Sequence, residues 1–77
     1  MEQKQLRPLS SVGPGQTVRL ARIDAGQALR SRLTAMGLVP NVQITVVSSG
    51  QPGPLMVSVK SSRIMLGRGM AQKIMVL

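Results

Sequence analysis

Twelve residues, Leu29 to Pro40, constrain the fold of this chain more than any other stretch. They read as one short amphipathic helix, stopped by glycine, turned by proline and fed directly into an alternating strand from Asn41 to Val47. Ala25, Leu29, Leu33 and Met36 recur at helical spacing on one stripe, while Arg30, Ser31 and Thr34 lie away from it and Arg32 sits at its edge. Gly37 is placed for the left-handed position that closes a helix, and Pro40 prevents the helix from resuming. Upstream, Asp24 followed three residues later by Gln27 fits a capping box, with Gly26 as the alternative start.

Nearly everything else alternates with the period of a strand. Thr17 to Ile23 places Val18 and Leu20 on one face and Thr17 and Arg19 on the other; Arg22 and Ile23 break the pattern, as a bulge or a strand end would. Val42, Ile44 and Val46 are expected inward, with Gln43 and Thr45 outward. Leu55, Val57 and Val59 form the next strand, Arg63 to Leu66 a short one with Ile64 and Leu66 inward, and Lys73 to Val76 the last, with Ile74 and Val76 inward. Gly13-Pro14-Gly15, Ser48 to Pro54 and Gly67-Arg68-Gly69 read as turns and loops. Residues 1–8 read as a loose lead-in, with Leu6 and Leu9 as the anchors of the N-terminal stretch. The order strand–helix–strand–strand–strand–strand suits a mainly β protein, a partly open barrel of about five strands in a single domain over residues 1–77.

Composition limits what such a barrel can do. The chain has no cysteine, histidine or aromatic residue, so neither a disulfide nor a zinc staple is available and the core is aliphatic. Self-association, as a homo-oligomer, is one way to supplement so small a core. Catalysis usually requires a base, a nucleophile pair or a metal, and the only carboxylates are Glu2 and Asp24. The chain is therefore read as a non-enzyme with no cofactor and no intrachain iron site. The six methionines lack a tight Met-x-x-Met cluster and are read as filling gaps in the core or greasing a contact surface. The glycine turns lack the strand–loop–helix context of a phosphate cradle. No apolar run is long enough to span a membrane, and cytoplasmic location is expected.

The net charge of +8 favours an anionic partner: nucleic acid, an anionic membrane surface or an acidic protein face. Without aromatic rings to stack on bases, protein docking is preferred, and a small basic RNA- or ribosome-associated barrel is the alternative. The expected docking residues are Arg30 and Arg32 on the helix, with Leu38, Val39 and Pro40 on the following turn; the alternative has Leu38 packed beneath the helix and both arginines merely solvated. An apolar group ringed by arginines is the composition of a binding hot spot.

The segment Arg32-Leu33-Thr34-Ala35-Met36-Gly37-Leu38-Val39-Pro40 resembles the helix-and-turn signature of the FeoA family. Leu9 with Gly13-Pro14-Gly15, then Val18 and Ile23, precede it in the family's order; Gly53-Pro54, Val57-Ser58-Val59, Arg63-Ile64-Met65-Leu66 and Met70 to Val76 follow. Two departures stand out: Asn41 follows the proline where glycine is frequent, and Ser61-Ser62 occupy a tight turn where glycine is common. The resemblance implies an SH3-like barrel with one helix between its first two strands. It also implies an accessory role in bacterial ferrous iron uptake, transition-metal ion binding at the level of the family, and docking on the cytosolic GTP-binding part of the FeoB transporter, which would hold the protein near the inner membrane. The same barrel closes metal-dependent repressors; a chain opening at Met1 fits the free-standing form.

Overall fold

The computed structural model describes residues 5–50 and 53–77. Its elements in chain order are β1 (Arg7–Pro8), a 3-10 turn (Leu9–Ser11), β2 (Thr17–Ile23), α1 (Gln27–Ala35), β3 (Gln43–Ser49), β4 (Leu55–Val59), β5 (Ser62–Leu66), α2 (Arg68–Ala71) and β6 (Ile74–Val76). Six antiparallel strands join in the order β1-β6-β2-β3-β4-β5, one more than the sequence suggested. The extra strand comes from the supposed lead-in: Arg7 and Pro8 pair with Val76 and Met75, and Leu9 behind them is fully buried. Leu6 stays 37% exposed and is no anchor. Glu2 lies outside the described residues, as do residues 51 and 52 of the expected Ser48–Pro54 loop, whose first two residues belong to β3.

Period-two patterning set the strands correctly. Val18, Leu20, Ile44, Val46, Leu55, Val57, Val59, Leu66, Ile74 and Val76 are buried, with Val42 and Ile64 packed at the margin of the core. On the outer face Thr17 and Thr45 are opposite one another and share a hydrogen bond of 2.8 Å. The broken alternation at Arg22 is a register shift between Leu20 and Arg22 in the β2–β6 ladder. A second shift, between Val46 and Ser48, turns Val47 out to 38% exposure. The β4–β5 connection survives without glycine because Lys60 takes φ +58°. Gly67-Arg68-Gly69 is more than a turn, since Arg68 opens the single helical turn α2, which buries Ala71 against the core.

Helix α1 takes the alternative of its two expected starts and ends earlier on its apolar stripe than expected. Its N-cap is Gly26, in extended conformation with no side chain capping it. Asp24 stands two residues too early and pairs with Arg22 instead. Glycine is tolerable there, costing only a few tenths of a kcal/mol relative to the good capping residues. At the other end Met36 is the C-cap and 42% exposed, so the apolar stripe ends at Leu33. The chain turns away at Gly37 (φ +99°) before Met36 can reach the sheet.

Candidate functional site

A groove of about 360 Å³ runs between α1 and the second half of β2, its end closed by the turn after the helix. The turn's construction explains its shape. Gly37 N–H donates to Thr34 C=O (3.0 Å) and Leu38 N–H to Leu33 C=O (3.1 Å), the paired bonds of a Schellman motif. That motif characteristically brings the residue after the glycine against the last helical turn, and both Leu38 and Leu33 are buried. Val42 N–H then donates to Val39 C=O (3.1 Å), closing a turn with Pro40 second and Asn41 third. Asn41 takes φ +74°, as the third position of a type II turn requires, so asparagine serves where glycine is frequent. Asn41 N–H donates to Leu20 C=O (2.8 Å) and Leu20 N–H to Val42 C=O (2.9 Å), tying the turn to β2.

The five sequence-derived docking residues are therefore not one surface. Arg30 is exposed and lines the groove, and exposed Pro40 forms its end. Leu38 is fully buried and closes the groove from below, so it cannot be part of an exposed apolar patch; the Schellman contact draws it in. Val39 is half-buried. Arg32 is exposed in the last turn of α1 but does not line the groove; there its charge suits the negative end of the helix.

Two further residues complete the site. Arg22 and Asp24 line the opposite wall, with Arg22 Nε donating to Asp24 Oδ1 at 2.9 Å. Their side chains are 59% and 50% exposed, so the pair adds at most about 1 kcal/mol to stability. The backbone holds them, since Asp24 N–H donates to Lys73 C=O (2.7 Å) and Arg22 is opposite Met75 on β6. The break in alternation at Arg22 was the available sequence signal, because a bulge re-aims the side chains around it.

The remaining basic and methionine residues have other surroundings. Arg68 is half-buried and its terminal nitrogen reaches Ser49 Oγ (3.4 Å) and Gly50 C=O, fixing α2 to the end of β3. Met56 and Met65 are cross-strand neighbours, Met65 being 60% exposed. Among the described residues no three His, Cys, Asp or Glu side chains come together as a metal site would need. No helix among them is long and apolar enough to cross a membrane.

A small, curled antiparallel sheet with a short helix between its second and third strands and a groove between helix and sheet is the SH3-like fold. The FeoA domain model matches residues 7–77, and the chain belongs to the FeoA family. It is 41% identical over 69 residues to a Methanocaldococcus jannaschii protein that carries the name Fe(2+) transport protein A, covering 90% of this chain and 83% of that one. The crystal structure of an iron uptake regulatory protein (FeoA) superposes with a TM-score of 0.87 at 38% identity, over 94% of this chain and 96% of that one. The zinc complex of Stenotrophomonas maltophilia FeoA, described as a procaryotic SH3 domain protein, shares the fold with a TM-score of 0.80 at 24% identity, over 91% and 88% of the two chains.

Proposed function

We propose that this chain is a non-enzymatic accessory protein of ferrous iron uptake that docks on the cytosolic GTP-binding part of an FeoB-type membrane transporter. Family membership and the names of its relatives, a Fe(2+) transport protein A and an iron uptake regulatory protein, support the iron-uptake role. The observation that carries the docking role is the groove between α1 and β2, where exposed Arg30 and the Arg22–Asp24 pair flank an aliphatic floor. Such a module, acting as one domain in the cytosol, changes a transporter's behaviour only by binding one of its states better than another. It carries protein contacts rather than iron, because its carboxylates are two and it has no histidine or cysteine.

Affinity purification of the tagged transporter from cells expressing both proteins tests this reading. Specific co-purification that withstands moderate salt is expected. Its absence, together with retention on RNA that collapses steeply as salt rises, would favour the alternative suggested by the net charge of +8.

A further inference from the structure

We infer that Arg22, oriented by Asp24, and Arg30 form a carboxylate clamp that takes an acidic segment of a partner protein into the α1–β2 groove. The inference rests on the docking role proposed above and names the chemistry of what docks. Arg22 spends its Nε–H on Asp24 Oδ1 (2.9 Å), and among the described residues its two terminal nitrogens have no partner. Arg30 likewise has no ionic partner among the described residues. A guanidinium presents its donors in a rigid planar fork matched to a carboxylate. Fixing the fork at Nε leaves the outer edge free and sets its direction.

Among the described residues no side-chain carboxylate is left over for these arginines. Of ten cationic and two acidic side chains, Lys4 and Glu2 lie outside the described residues, which leaves nine cations and Asp24 alone. Asp24 is engaged by Arg22, so among the described residues no side-chain carboxylate reaches Arg30, and its guanidinium is open to an acid of a partner. Beneath the groove lie Leu20, Ile23 and Leu38, all three buried, so the surface open to a partner is mainly that of the walls. The chain holds no aromatic ring to stack on a base, which favours a protein segment over a nucleic acid. A volume of about 360 Å³ accommodates a short extended segment and falls in the size range of ligand sites, roughly 300–1,000 Å³.

In this clamp Asp24 is a positioning residue, and that gives a test in which two explanations have opposite signs. The probe is an unlabelled peptide alternating leucine and aspartate, titrated into the 15N-labelled full chain, with a leucine–asparagine peptide as control. Amide shifts are expected in β2 and along the groove side of α1, with little response to the control. Arg30→Gln should weaken binding about tenfold. Asp24→Asn should weaken it at least about threefold, although it raises the net charge from +8 to +9, and the Arg22 Nε–H resonance should move. Attraction by diffuse charge predicts the reverse, tighter binding by Asp24→Asn. That reversal, equal binding of both peptides, shifts confined to Lys60 and Arg63, displacement of the peptide by RNA in preference, or no binding at millimolar peptide would each overturn the clamp. The transporter's cytosolic domain, titrated in parallel, separates the two readings. Transporter binding unaffected by both variants leaves docking standing and removes the clamp; peptide binding as expected without transporter binding removes the docking and leaves the clamp.

Discussion

Helix α1 and strand β4 divide the work of this small protein between them. Strand β4 pairs with β3 on one edge and β5 on the other and buries Leu55, Val57 and Val59 of its five residues. Helix α1 fully buries Leu33 alone among nine, with Leu29 packed at the margin of the core. Hydrogen bonding and apolar burial coincide in the strand, whereas the nine-residue helix makes its own backbone bonds and is held to the sheet through the packing of Leu33 and Leu29 alone. Its remaining surface is left to arginines and polar residues, and the groove lies along that loosely held boundary. The sheet supplies the fold, and the helix supplies a wall that a partner can reach.

Truncations on the two elements measure that division. Leu55→Ala is expected to cost about 2–5 kcal/mol, the range for a buried leucine whose cavity cannot collapse. Leu33→Ala should fall at the low end of that range, because a helix held on one side can settle into the gap. Chemical denaturation of both variants reads the difference, and a larger loss from Leu33→Ala would make the helix as integral to the core as the strand. Gly37→Ala sharpens the comparison at the helix end. With φ at +99° an added side chain is strained, and a loss of about 1–2 kcal/mol is expected by the same measurement. Stability unchanged in that variant would mean that the turn relaxes freely. The smallest effect belongs to Met36→Ala, expected within about 0.5 kcal/mol of the parent because Met36 is 42% exposed. A loss of 2 kcal/mol there would restore Met36 to the apolar stripe.

The same division governs how much of the structure was legible in the sequence. Strand faces were read almost residue by residue, because burial on one side of a sheet enforces alternation at every second position. The bulge at Arg22 and the left-handed Gly37 were legible for a similar reason: each is a local exception with few residues able to fill it. Strand β1 was not, since two residues that include a proline carry no period. Of the two helix starts the sequence offered, Gly26 holds and Asp24 does not, because Asp24 satisfies a capping pattern by type while its carboxylate goes to Arg22. Of the docking residues, Arg30 and Pro40 line the groove and Leu38 lies beneath it. Helical spacing could place Arg30 outward, but only the folded turn decides that Leu38 packs on Leu33 and that Arg22 comes to face the helix.

On the proposed docking role, a partner engages the α1–β2 groove and not the helix surface at large. Arg30 and Arg32 lie two residues apart on the same helix, both exposed, and only Arg30 lines the groove. Calorimetric titration of Arg30→Glu and, separately, Arg32→Glu against the transporter's cytosolic GTP-binding domain distinguishes groove from helix surface, with circular dichroism confirming the fold of each. Tenfold weaker binding by Arg30→Glu, about 1.4 kcal/mol, with a change of less than about threefold for Arg32→Glu, is the predicted result. Equal losses from both, or undiminished binding by a folded Arg30→Glu variant, would contradict it and move the interface off the groove.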